Sequence, residues 1–242
     1  MLIKTRGICL QTSKYAESSV IAQVLTEEKG LQSYIISGVR SAKPRVHASL
    51  LQPLSVLDMV VYWRSDPGLF RTRELKAHLM PLRTPFELPR TAVAVFVAEV
   101  LSKALRQSES PPELFEFVVE FAEHLDQAER GVALLPTYFL LRLTQYLGFP
   151  PEFPAFGAPY FFDAVQGYFL PEPPDHPRHG DADVSQLLVD MASRPLGSLH
   201  EVRSQRTTRT QATLLLLDYI KGQLGNFGQV QSHRVYAEVL QG

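Results

Sequence analysis

Through the first eighty residues, apolar positions come in short runs of near-alternating character, separated by turn signals. Five such runs span residues 2–12, 18–26 (SSVIAQVLT), 31–37 (LQSYIIS), 50–63 and 69–79. Residues 27–30 form a tight turn in which Gly30 is free to take positive φ. Pro53 stands near the start of the fourth run, where a missing N–H is tolerated, and Ser65-Asp66-Pro67-Gly68 reads as a β-turn. Five strands in so short a span suit a small closed barrel. The pattern alone does not separate an OB-fold from an SH3-like barrel.

Beyond Pro81, Pro85 and Pro89 the period lengthens to that of a helix. A helix over 88–107 is apolar at nearly every position from Ala92 to Ala98, which predicts a central element. Ser110, Pro111 and Glu113 sign the start of the next, with a stripe through Leu114, Phe115, Val118, Phe121, Ala122 and Leu125. Glu116, Glu120 and Glu123 lie on its other face and read as solvated. Residues 135–147 are apolar nearly all round, with Arg142 in the middle. Such an arginine is either paired internally or lines a pocket for an anionic ligand, and the pattern leaves both open. Prolines crowd residues 149–183, where 160–162 and 168–170 suggest a hairpin. Helices resume over 184–192, over 206–224 before a capping Gly225, and over 232–240. The expected class is α+β: an N-terminal five-stranded barrel over 1–80, then a mainly helical domain over 81–242 carrying an irregular insertion at 149–183.

Charge adds a division of labour. The net charge of -1 hides eleven Lys/Arg against six Asp/Glu in residues 1–80, and thirteen against nineteen in residues 81–242. The basic half is therefore the candidate for a polyanionic partner. Cys9 is the sole cysteine, which rules out intrachain disulfides and thiolate zinc clusters. The N-terminus has no apolar signal region, and no run approaches the roughly 18 apolar residues that span a bilayer. A soluble cytoplasmic protein is expected.

Residues 38–48 hold Arg40, Lys43, Arg45 and His47 and no acid, between two β-rich runs. Lys14 with Tyr15, and Arg64, Arg71, Arg73 and Lys76, also gather near turns and strand ends. Single strands bind in positive grooves whose aromatic faces stack the bases. Tyr15, Tyr34, Tyr62, Trp63 and Phe70 are each core residues or platforms, and the sequence does not sort them. In the acidic half, Arg203, Arg206 and Arg209 cluster at a helix start, where cations oppose the helix dipole. Residues 175–183 hold two His and several acids and read as a solvated loop, with a metal site the lesser alternative. The chain has no phosphate-binding P-loop, nucleophile elbow, zincin motif or dinucleotide fingerprint. A binding protein with no catalytic residues is the better reading; the rival from another class is a protein-interaction adaptor that does not touch DNA.

The arrangement R-G-I-C-L, Y-A-E-S-S, L-T-E-E-K-G-L, S-G-V-R-S and L-L-Q-P-L, from Arg6 through Tyr15, Gly30, Gly38 and Arg40 to Pro53, closely resembles the RecO family of bacterial recombination mediators. Weaker similarity runs through Phe139–Leu143, Leu147-Gly148-Phe149 and Leu224-Gly225, then Ser232 and Arg234. The resemblance implies an OB-fold, a helical second domain and no catalytic turnover. It implies binding of single- and double-stranded DNA, annealing, and work with RecR to load RecA onto strands coated by single-strand-binding protein (SSB), in the bacterial cytoplasm at the nucleoid. It also implies a pocket for the acidic C-terminal tail of SSB, which would suit Arg142 and the Arg203, Arg206 and Arg209 cluster. Many members carry a four-cysteine zinc finger after the Leu-Gly-Phe segment. Residues 149–183 have no cysteine, so this module should be metal-free and held by aromatic side chains. Gln231 and His233 stand where the family often has basic residues.

Overall fold

The computed structural model describes residues 1–41, 44, 46–66, 68–105, 111–154, 160–233 and 239. Lys43, Arg45, the Ser110 cap and most of the helix expected over 232–240 lie outside the described residues.

The chain forms two compact units, residues 1–127 and 128–242. In the first, β1 (Leu2–Lys14), β2 (Val20–Thr26), β3 (Gly30–Ile36), β4 (Val56–Tyr62) and β5 (Leu69–Leu79) close a barrel in the order β1-β2-β3-β5-β4, with β4 returning to β1. This is the OB-fold arrangement. All neighbours are antiparallel except β3 and β5. Alternation sends Cys9, Val24, Tyr34, Leu57, Met59 and Phe70 into the core. Gly7 leaves room there: a Cβ would sit 2.6 Å from both Met59 Sδ and Val24 Cγ1. Gly30 turns β2 into β3 at φ 59°, as its position predicts.

The fourth run departs from expectation. Instead of one strand over 50–63, Ala48–Leu51 coil into a 3₁₀ turn and Leu54 takes φ 64° before β4 begins. The cause is long-range: Leu54 N–H donates to Cys9 O at 2.8 Å, and Cys9 N–H to Ser55 O at 2.9 Å. The chain must pinch back onto β1 there, and an extended strand would not.

Two helices belong to the same unit. α1 (Leu88–Ala104) packs against β1 and is buried around most of its circumference, which accounts for its unbroken apolar run. α2 (Pro112–Gln127) carries a single apolar stripe. Asp126 near its end accepts from the backbone N–H groups of Leu82, Arg83 and Thr84 at 2.9, 2.9 and 2.7 Å, pinning the segment that leads into α1. Buried Arg90 is satisfied by Glu87 and the Leu125 carbonyl.

In the second unit, α3 (Leu135–Tyr146), α4 (Ala182–Ala192) and α5 (Arg206–Leu224) pack on one another. α4 is capped by Asp181, whose side chain accepts from Val184 N–H at 2.8 Å. α5 ends at Gly225 with φ 66°. The hairpin β6 (Phe161–Asp163) and β7 (Tyr168–Leu170) turns at Gly167 and lies close to α5.

Candidate nucleic-acid interface

The expected DNA contacts fall into three places on the barrel. Lys14 ends β1 opposite Val20, and Val20 lies opposite Ile36, where β3 ends. The connections that follow, 15–19 and 37–47, therefore leave from one rim. They are tied together by Arg40 N–H, which donates to Ser18 O at 3.2 Å. Lys14, Tyr15 and Arg40 are all exposed there. Lys43 and Arg45 belong to the same connection but lie outside the described residues.

Arg64 sits at the other rim. It follows Tyr62, which pairs with Leu2 at the start of β1, and Trp63 O accepts from the Met1 ammonium at 2.7 Å. Arg71 and Arg73 are exposed on the β5 wall, Arg71 opposite Ile35 on one side and Tyr62 on the other. A register shift between Val60 and Val61 places Arg73 at an irregularity of that wall. A ligand meeting all three groups has to follow the barrel from rim to rim.

The five aromatics sort by burial. Tyr34 and Phe70 are core, and burial pushes the Tyr34 hydroxyl up to about 12. Trp63 stacks on Phe70 at 4.6 Å between centroids, with Lys29 Nζ 5.5 Å from its ring. Tyr15 and Tyr62 are open, at 53% and 52% exposure. Cys9 is buried, its thiol pushed up to about 12 by desolvation, so it is packed and not nucleophilic.

Arg6, one of the residues that carries the family resemblance, has a structural task. Its guanidinium donates to Glu27 at 2.9 and 2.8 Å and to Glu116 of α2, and lies over the Phe115 ring. The Arg6 bond holds the Glu27 carboxyl below its ordinary range. This latch borders a groove of about 470 Å³ lined by Lys4, Glu27, Asp58, Glu74 and Lys76 among others. Its charges nearly balance, which suits a mixed-charge surface better than a phosphate backbone.

On the second unit, Arg142 is half-buried and answers to its own helix: Nε donates to Tyr138 Oη at 3.0 Å, one terminal nitrogen to Gln145 Oε1 at 3.3 Å, and the guanidinium lies 5.3 Å from the Tyr138 centroid. Among the described residues no carboxylate pairs with it. Arg203 and Arg206 are exposed, and Arg209 donates to Ser204 O at 2.8 Å. α3 and α5 run in the same direction, because Thr137 meets Thr213 at 2.8 Å while Tyr219 Oη donates to Phe149 O at 2.8 Å. Arg142 and Arg209 fall on opposite sides of the threonine pair, roughly 13 Å apart along the axes at 1.5 Å per residue. An extended peptide crosses that gap in about four residues.

The described residues of 149–183 gather around rings. Phe162 packs against Phe169 at 5.0 Å and edge-on to Tyr219 at 5.5 Å, Phe153 against Phe169 at 5.2 Å, and Phe149 edge-on to Tyr219 at 5.9 Å. Buried Asp163 accepts from the N–H groups of Val165 and Gln166 and faces His176 Nε2 at 3.3 Å. Among the described residues no group of three or more His, Cys, Asp or Glu is placed to hold a metal ion, and no helix is long and apolar enough to cross a membrane.

Comparison with known proteins agrees with this architecture. Residues 1–79 match the family model for the recombination protein O N-terminal region, and residues 85–231 that for its C-terminal region. Over 240 residues the chain is 29% identical to the DNA repair protein RecO of Phocaeicola vulgatus and 28% to that of Bacteroides fragilis. It is 30% identical over 247 residues to the RecO of Christiangramia forsetii. Each alignment covers 99% of both chains. With both family models matched and the barrel they imply in place, the chain belongs to the RecO family of DNA repair proteins.

Proposed function

We propose that this protein is a non-enzymatic mediator of recombinational repair in the bacterial cytoplasm, acting at the nucleoid. It binds single- and double-stranded DNA, anneals complementary strands, and works with RecR to load RecA onto SSB-coated single strands. The observation that carries this is the rim where Lys14, Tyr15 and Arg40 are exposed and where the connections after β1 and β3 are tied by the Arg40–Ser18 hydrogen bond. Cations there engage phosphates and the open ring engages a base, which positions a strand without reading its sequence. SSB is engaged through its acidic C-terminal tail on the second unit, with Arg142 and the Arg203, Arg206 and Arg209 cluster supplying charge-assisted donors.

A second reading, a protein-interaction adaptor that does not touch DNA, is favoured by the charge-balanced groove at Lys4, Asp58, Glu74 and Lys76. Fluorescence anisotropy with a labelled oligothymidine and a blunt duplex separates the two. The mediator binds both, more weakly as salt rises; an adaptor binds neither.

A further inference from the structure

Tyr62 is an exposed aromatic ring at the last position of β4, two residues before Arg64 at the rim. On β4 it lies directly opposite Leu2 of β1 on one side and Arg71 of β5 on the other. Residues directly opposite in a ladder share a face, so the three side chains rise from the same outer surface. Leu2 is 44% exposed and Arg71 is exposed. Among the described residues no carboxylate pairs with Arg71. The ring therefore stands in water between an aliphatic neighbour and a guanidinium, and among the described residues it makes no hydrogen bond or ring contact.

This placement differs from that of Tyr15, the other open ring among the five candidate platforms. Tyr15 belongs to a connection, whereas Tyr62 is held by ladder bonds on both sides. A platform on a rigid strand is set in place before binding and loses little freedom when a ligand arrives. A flat apolar face beside a lone cation is what an unpaired nucleobase and its phosphate require: the ring stacks and the guanidinium meets the backbone. A base inside a duplex already has both faces covered and gains nothing from it.

We infer that Tyr62 and Arg71 form a base-stacking platform on the barrel wall, specific for unpaired strands and separate from the Lys14, Tyr15 and Arg40 rim. This rests on the DNA-binding function proposed above and adds to it a device that distinguishes single from double strands. A strand seated on both places runs along the barrel from one rim toward the other, past Arg71.

The test measures binding of the full-length protein to a labelled oligothymidine and to a blunt duplex of equal length, for the wild type, Tyr62→Ala, Tyr62→Phe and Arg71→Ala. Tyr62→Ala lowers single-strand affinity roughly tenfold, as loss of one stacked base does, and leaves duplex affinity within about twofold. Tyr62→Phe keeps the stacking face and binds like wild type. Arg71→Ala weakens single-strand binding and reduces its salt dependence. Equal losses on both DNAs, or no loss on either, in a wild-type background that binds single strands would overturn the platform while leaving the DNA-binding reading intact. A wild-type protein that binds neither DNA would overturn both.

Discussion

Arg40 and Ser18, twenty-two positions apart, are joined by one backbone hydrogen bond of 3.2 Å from the Arg40 N–H to the Ser18 carbonyl. That bond brings the connection after β1 and the connection after β3 to the same rim of the barrel. It turns two unrelated stretches of sequence into one exposed surface bearing Lys14, Tyr15 and Arg40.

If about five cations contact phosphates of a single strand, affinity falls roughly a hundredfold between 50 and 200 mM salt. Replacing Arg40, Lys43 and Arg45 together by Ala removes about two units from the slope of log affinity against log salt concentration. An unchanged slope in that triple variant, read by anisotropy titrations at several salt concentrations, would sink the rim assignment.

Arg142→Ala weakens binding of an SSB tail peptide by roughly tenfold or more, the scale of hydrogen bonds to charged groups, and leaves binding of naked DNA unchanged. Because its hydrogen bonds go to Tyr138 and Gln145 of the same helix, thermal melting shifts only slightly, by the scale of a helix-surface pair. Calorimetric titration with the peptide and a melting curve check both parts. A variant that unfolds contradicts the peptide role.

Asp126 gives a stability prediction with a defined sign. Burial pushes its carboxyl up, but the backbone N–H groups of Leu82, Arg83 and Thr84 outweigh burial and hold it below its ordinary 3.8. A carboxyl depressed in the folded state contributes its full stability above the unfolded value and loses it as pH falls through the folded one. Asp126→Ala therefore destabilises the protein by about 1–3 kcal/mol at neutral pH. The deficit shrinks below about pH 4, where wild type loses the same contribution. Glu27, depressed by Arg6, follows the same direction. Denaturant midpoints against pH decide it; a pH-independent deficit contradicts the assignment.

The 149–183 module has its own test. Phe162 is fully buried among Phe169 and Tyr219, so Phe162→Ala costs about 3–5 kcal/mol. A strong chelator leaves the melting temperature of the wild type unchanged. A chelator-dependent drop would show that a metal, and not the ring cluster, holds the module.

How much of this was legible follows from the range of the forces. Near-alternation in the first eighty residues marked the five strands, because one face of each packs into the barrel. The break before β4 was not legible, since it answers to hydrogen bonds between Leu54 or Ser55 and Cys9, some forty-five positions away. The Asp126 clasp and the Arg6–Glu116 pair escaped for the same reason, their partners being set by how α2 meets the barrel. Among the aromatics, Tyr34 and Tyr62 look alike in sequence. Only the direction of each side chain, into the barrel or out from its wall, separates a core ring from an open one. The cationic residues were visible as a group, but their division between two rims and a wall depends on strand register. Several residues that carry the family resemblance prove to be the ones that set this geometry: Gly30 and Gly38 at positive φ, Ser18 and Arg40 across the rim, and Arg6 beneath α2.

The central claim, that this is a DNA-handling mediator, is tested most directly by strand annealing. Two complementary fluorescent oligonucleotides, bare or coated with SSB, are mixed with the protein and duplex formation is followed in time. If the claim holds, annealing runs faster than the protein-free rate on both substrates, with the SSB-coated reaction lost in Arg142→Ala while the bare reaction persists. Annealing no faster than the protein-free rate on either substrate would contradict it.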